Sequence, residues 1–365
     1  MSHAVLVINP ARLSTRVALF ADDTCAFDDT LQHPLEEVAA FDTVWDQFPY
    51  RRHALEQALT ARGVSLSTLS AIAARGGLMR PVSSGVYLVD GEMLEDLRLG
   101  VQGEHAANLG AALAFALARE AGIPALVVDP MAVDELEPVA RLSGVPELPR
   151  HSLFHALNLG ARARRAAAER GMALADLQAV LVHLGAGISV AAMAQGRVVD
   201  VNNAYEEGPF SPERAGTVPV GDLVRLCFSG RYTERELVRR LTVEGGLAAY
   251  LGTRDYREAE RRVDQGDPLA ALVYEAMAYQ VGKEIGAMAC ALGRRPDVIV
   301  LTGDLAAADR LVAWIRDRTA YLAPVLVYPG GDEMAALAAG ALRVLRGEER
   351  PKHYGKGDVT RVAQL

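Results

Sequence analysis

His183 lies in the stretch "LVHLGAGISVAAMAQGRVVDVNN", residues 181–203, just ahead of Gly185 and Gly187. An imidazole beside a glycine turn is suited to meeting an anion, because glycines let backbone N–H groups come close to it. In a dinucleotide-binding unit a helix would follow such glycines, with its N-terminus on the pyrophosphate. Here two more strand-like runs come next, ISVAAMA and VVDV. The expected element is therefore an antiparallel hairpin whose turn presents several amides to an anion with no helix needed. The N-terminal stretch "AVLVINPARLSTRVALFADDTCAFDDTL" repeats the pattern of strand, small turn, strand, turn and third strand. Two carboxylates close apolar strands in matching positions, Asp129 after "GIPALVVDP" and Asp304 after "RPDVIVLTGD". Each comes after an alanine-rich helical stretch, 108–121 in one case and 274–292 in the other.

These elements read as two similar α/β halves, a duplicated domain with a cleft between the copies and a phosphate clasp from each hairpin. The length of 365 residues agrees, being too great for one ordinary core. Half of the residues are apolar and 23% are charged, an ordinary globular balance. A net charge of −8 argues against nucleic acid as a partner, while a few local arginines could still hold an anionic substrate. Cys25, Cys227 and Cys290 are scattered without metal-ligand spacing, which reads as reduced thiols. The start "MSHAVLVINP" lacks the basic and apolar regions of a signal peptide, and the apolar run Leu109 to Leu117 is too short to span a bilayer. A soluble, cytoplasmic protein without a membrane partner is expected.

Several long blocks occur in order along almost the whole chain: "VINP", "ARGGLMRPV", "MLEDLRLGVQGEHAANLGAALA", "GIPALVVDPMAVDEL", "FHALN" and "VHLGAGISV". They continue through "GRVVDVNNAYEEGPFSPERAGTVP", "LCFSGRYT", "GGLAAYLGT", "AMAYQVGKEIGAMA" and "APVLVYPGGDEMAALAAGALRVLRGEE". On these blocks the sequence resembles the superfamily of acetate and sugar kinases, Hsp70 and actin, and within it the butyrate kinases of the acetokinase family. The resemblance implies two duplicated actin-like (ribonuclease H-like) domains with a central cleft. Residues 1–175 would form the first and 176–345 the second, with about 346–365 packing back on the first. It also implies phosphoryl transfer from ATP to a short-chain fatty acid, butyrate giving butanoyl phosphate and ADP. Isobutyrate or another short-chain acid is the alternative substrate, and a non-catalytic ligand-binding protein the alternative role. Mg2+ would accompany ATP, and a homodimer or larger homo-oligomer is expected.

Such chemistry asks mainly for in-line positioning and for stabilisation of spread negative charge. The resemblance places His183 at the transferred phosphoryl group and Arg214, in "SPERAGTVP", at the acyl kinase arginine. Arg75, leaving a strand into a glycine pair, would serve both transfer and substrate binding. A guanidinium suits these places because its planar fork meets two oxyanions bidentately. Asn9 and Asp129 complete the expected catalytic set, with Asp129 and Glu333 as metal ligands. His105 and Asn108, in "GEHAANLG", would contact substrate, although His105 could instead cap the following helix. Nucleotide contacts are expected at Arg12, Ser14, Arg16, Gly185, Gly187, Gly303, Asp304 and Gly330. The chain departs from the family where it should meet nucleotide. Butyrate kinases usually carry Gly-Ser-Thr-Ser-Thr-Lys after "NP", whereas residues 11–16 here read Ala-Arg-Leu-Ser-Thr-Arg. Ala186 and Asp304 likewise stand where glycines are usual. Arg12 could act as a replacement phosphate ligand, and Asp304 could repel phosphate or cap a helix.

Overall fold

The computed structural model describes residues 2–355. Its strands are β1 (Ala4–Ala11), β2 (Ser14–Ala21), β3 (Thr24–Gln32), β4 (Ala71–Arg75), β5 (Val86–Leu88) and β6 (Ala125–Val128). They continue as β7 (Ala179–Leu184), β8 (Ile188–Ala194), β9 (Arg197–Val201), β10 (Val298–Gly303), β11 (Val325–Pro329) and β12 (Lys352–His353). Two sheets result, ordered β12-β5-β6-β4-β1-β2-β3 and β11-β10-β7-β8-β9.

The second sheet repeats five strands of the first. In each, an antiparallel meander leads from the edge inward, β3-β2-β1 or β9-β8-β7. Two parallel strands complete the set, β4 and β6 or β10 and β11. Burial explains the sequence pattern of these strands. β4 (AIAAR) and β6 (ALVV) are apolar and buried almost throughout, as strands covered on both faces must be. The edge strand β3 alternates exposed and half-buried residues and carries Asp28 and Asp29. The duplication read from the two hairpins is thus present as a common topology.

The chain separates into two compact units, Glu135–Gly331 and the residues on either side of it. These limits differ from the expected divisions after residues 175 and 345. The helix Ala156–Glu169 packs on β7 and β10 of the second sheet, so it belongs to the second unit. The helix Glu333–Leu345 packs on β1, β4 and β6 of the first sheet, so the return to the first unit begins before that helix. Small residues make the return possible: a Cβ at Gly340 would collide with Val128. Of the segment 346–365, β12 joins β5 at the sheet edge, and residues 356–365 lie outside those described.

In the first unit, the helix Asn108–Ala121 lies close against β4, where Gly110 leaves no room for a Cβ beside the Arg75 carbonyl. In the second, the helix Pro268–Ala291 packs on β7, β8 and β9 and buries Met277, Val281 and Ile285. It starts earlier than the alanine-rich stretch suggested because Asp267 caps it, accepting from the Leu269 and Ala270 amides. No helix among the described residues is long and apolar enough to cross a membrane.

Candidate active site

Six candidate residues sit at or near the carboxyl ends of strands with parallel neighbours, where open α/β sheets bind ligands. In the first unit Asn9 is near the end of β1, Arg75 ends β4 and Asp129 comes directly after β6. In the second, His183 is the penultimate residue of β7, Gly303 ends β10, and Gly330 comes directly after β11.

The first unit brings Asn9, Arg75 and Glu333 together. Asn9 Nδ2 donates to Glu333 Oε2 at 2.7 Å, and Arg75 Nη1 meets the same oxygen at 3.1 Å. β1 runs past Asn9 and ends at Ala11. Asp129 has a positive φ of 37° and accepts from the Gly85 amide at 2.7 Å. His105 Nδ1 accepts from the Ala107 amide at 3.1 Å, which leaves the ring proton on Nε2. Burial first, and then the Arg75 charge, hold the His105 pKa below its ordinary value, so the neutral ring is favoured. His105 does not cap the helix Asn108–Ala121, whose N-cap position is Ala107.

Asn108 has a different task from the expected substrate contact. Its Oδ1 accepts from the Leu78 amide at 2.9 Å, while Nδ2 donates to the Leu97 and Gly103 carbonyls at 3.3 and 3.1 Å. Its side chain is buried and used to fasten loops. Arg16 is also committed elsewhere, to a fork with Asp28 of the neighbouring strand at 2.7 and 2.6 Å. This bond raises the Arg16 pKa. Arg12 and Leu13 form the two-residue β1–β2 turn, with Ala11 opposite Ser14. The Arg12 side chain is exposed, and the Ser14 carbonyl faces inward onto Arg51.

In the second unit, His183 is held on two sides. Its Nδ1 lies 3.0 Å from Asn158 Oδ1, and its ring stacks on His155 with centroids 3.7 Å apart. An amide oxygen only accepts, so this contact places a proton on Nδ1. Nε2 lies toward the glycine turn, 2.8 Å from where a Gly185 Cβ would be. His155 is in turn anchored to Ser189 Oγ at 2.9 Å. Sequence reasoning missed His155 and Asn158, although "FHALN" places them three residues apart at a helix start, a spacing that shares one helical face.

Arg214 closes the other side of this turn. A Cβ at Gly187 would overlap its guanidinium, so only glycine admits the arginine there. Arg214 Nη1 donates to the Ala204 carbonyl at 2.8 Å, and its Cζ lies 4.1 Å from the Tyr205 ring centroid. Its Nε is buried without a hydrogen-bond partner among the described residues. Burial lowers the Arg214 pKa, with weaker opposing effects of Tyr205 and Glu213. An arginine remains protonated under such conditions. The result is a positive charge held by a carbonyl and an aromatic face, an arrangement suited to a further anion.

Gly303 and Gly330 exchange backbone hydrogen bonds at 2.9 and 3.3 Å, and both have positive φ. Asp304 is exposed and starts a short 3-10 turn without a side-chain capping bond. The helix-cap alternative for Asp304 therefore has no counterpart in the structure.

The chain is similar to known proteins over nearly its whole length. The profile of the acetokinase family matches residues 152–314. A "Probable butyrate kinase" of Clostridium botulinum (strain Eklund 17B / Type B) is 47% identical over 355 residues, covering 97% of this chain and 100% of the relative. "Butyrate kinase 1" of Clostridium acetobutylicum is 46% identical over 353 residues, covering 96% and 99%. Among solved structures, Porphyromonas gingivalis acetate kinase aligns with a TM-score of 0.79 at 17% identity, covering 94% of this chain and 100% of that one. A propionate kinase from Francisella tularensis gives a TM-score of 0.74 at 16% identity, covering 93% and 98%. These two likenesses establish the actin-like fold.

Proposed function

The chain belongs to the acetokinase family, and from that premise we propose that it phosphorylates a short-chain carboxylate, butyrate first, with ATP. The observation that carries this reading is the glycine turn of the β7–β8 hairpin, flanked by His183 and by the Arg214 guanidinium, which is held by the Ala204 carbonyl and the Tyr205 ring. A carboxylate oxygen attacks the γ-phosphorus, the bond from phosphorus to the ADP oxygen breaks, and butanoyl phosphate and ADP result. Charge spreads over the equatorial oxygens during this step, so the protein acts chiefly by placing donors on them.

Each side chain has a task suited to its setting. His183 keeps its Nδ1 proton toward Asn158, so Nε2 donates to a phosphoryl oxygen only as the imidazolium. Arg214 supplies fixed positive charge whose desolvation has already been met in folding. Neutral His105 offers its Nε2 proton to a substrate carboxylate, and Arg75 adds charge beside it. Asn9 and Arg75 hold the Glu333 carboxylate in place.

Asp129 and Glu333 are the residues that would hold Mg2+. Among the described residues no three His, Cys, Asp or Glu side chains gather as a metal cage. Carboxylate oxygens suit Mg2+, which arrives with phosphate and keeps several waters. Its charge would neutralise the β- and γ-phosphate oxygens. The three free cysteines are all exposed, which supports a reducing, cytoplasmic setting.

The test is an ATP-dependent hydroxamate assay with butyrate, isobutyrate, propionate and acetate. Acyl phosphate is expected, with butyrate preferred. Its absence with all four acids, alongside normal nucleotide binding, would replace this reading with that of a non-catalytic ligand-binding protein.

A further inference from the structure

Arg51, in the helix Phe48–Ala61, is fully buried and has no carboxylate partner among the described residues. Its Nη1 donates to the carbonyls of Ala11 at 2.8 Å and Ser14 at 2.9 Å and to Thr15 Oγ1 at 3.2 Å. Nη2 donates to the Arg12 carbonyl at 2.9 Å, and both Nε and Nη2 meet Gln47 Oε1. The remaining carbonyl of the turn, Leu13, accepts from the His33 amide at 2.8 Å. Arg51 thus draws the carbonyls of Ala11, Arg12 and Ser14 inward, while that of Leu13 continues the pairing toward the strand β3.

This turn needs such a hold. Two-residue hairpin turns favour backbone forms with positive φ, usually supplied by glycine or asparagine. Neither Arg12 nor Leu13 has a positive φ, and neither is glycine. The inward carbonyls also have a consequence on the opposite side. In a trans peptide the N–H points away from the C=O, and the described residues contain no cis peptide. With the Ala11 and Arg12 carbonyls on Arg51, the amides of Arg12 and Leu13 are directed away from it. Successive outward amides form a concavity that binds anions.

We propose that Arg51 is a positioning residue for the nucleotide phosphates: by gathering the carbonyls of the β1–β2 turn, it aims the Arg12 and Leu13 amides at a phosphate. The exposed Arg12 side chain adds charge to the same turn. An internal guanidinium would in this way do what glycine does in the loop the family usually carries. This inference rests on the proposed ATP-dependent activity, and its test separates the two.

The first measurement uses the unaltered protein, with amide NMR shifts of Arg12 and Leu13 followed during titration with ADP and with inorganic tripolyphosphate. Both amides are expected to shift on saturation. Nucleotide binding that leaves both amides unmoved would overturn the role of Arg51 while leaving the kinase reading intact. Absence of any nucleotide binding by calorimetry would overturn both. The second measurement is Arg51→Lys, which keeps the charge and loses the planar fork. The KM for ATP is expected to rise about tenfold, as for a lost charge-assisted contact, with the KM for butyrate unchanged. A lower melting temperature with unchanged KM for ATP would make Arg51 a purely structural residue. If Arg51→Lys does not fold, the amide titration alone decides.

Discussion

His183 illustrates how much of the chemistry depends on one ring's surroundings. Asn158 fixes its proton and His155 fixes its plane, so Nε2 has a set direction. His183→Ala should lower kcat by about 100- to 1000-fold, the usual cost of one donor to a developing charge. The KM for ATP should change far less, because the contact strengthens only as the phosphoryl group moves. Steady-state kinetics of the variant check this, and wild-type turnover would make His183 a core residue. Asp304 gives a prediction of opposite sign. It is exposed and caps nothing, so Asp304→Gly should leave the melting temperature unchanged. Removing a carboxylate from the proposed nucleotide-binding segment should tighten ATP binding, most at low Mg2+. Nucleotide titrations at two Mg2+ concentrations decide the matter, and weaker binding confined to high Mg2+ would instead make Asp304 part of the metal site.

At the level of elements, the two hairpins solve the same problem differently. The β7–β8 turn uses glycines, and the space at Gly187 is occupied by the Arg214 guanidinium. Gly187→Ala should therefore displace Arg214 and reduce kcat/KM by about 100-fold. The collision is with the end of a flexible side chain, so thermal stability should fall little; a large drop in melting temperature with normal activity would contradict this account. The β1–β2 turn lacks glycine and is held from beneath by Arg51. The strands and the glycine turn beside His183 were legible in the sequence because apolar periodicity and glycine spacing are local signals. Arg51 was not. In "FPYRRHALEQALTA" it stands next to Arg52, which pairs with Glu56, and only tertiary packing separates the buried arginine from the surface one. Asn108 misled for the same reason, since its residue type fits both a substrate contact and a loop clamp, and the structure gives it the second role.

For the whole molecule, the duplication was readable from the two hairpins, but the strands before Asp129 and Asp304 are not counterparts, since β6 stands in the place of β11 and β10 in that of β4. The limits of the two units were not readable either. Nothing local in Ala156–Glu169 or Glu333–Leu345 tells which sheet each helix will cover. The fold also carries an acid-sensitive core group. Burial, and after it the Arg51 charge, push His33 down to about 4, with its Nε2 on Thr15 Oγ1 at 2.8 Å. The unfolded chain takes up a proton near the ordinary histidine value, whereas the native state resists it. Stability is therefore expected to fall as pH drops from about 6.5 to about 4, by as much as about 3 kcal/mol. Urea unfolding at several pH values measures this, and His33→Gln should flatten the slope; an equal slope in the variant would assign the loss to other groups. The central claim is that a substrate carboxylate oxygen attacks the phosphorus of ATP. Its most direct test supplies butyrate labelled with 18O in the carboxylate, traps the acyl product with hydroxylamine and weighs the released phosphate. Hydroxylamine attacks the acyl carbon, so the account predicts one 18O in the phosphate for each hydroxamate formed. Unlabelled phosphate without hydroxamate would show ATP hydrolysis in place of transfer and would contradict it.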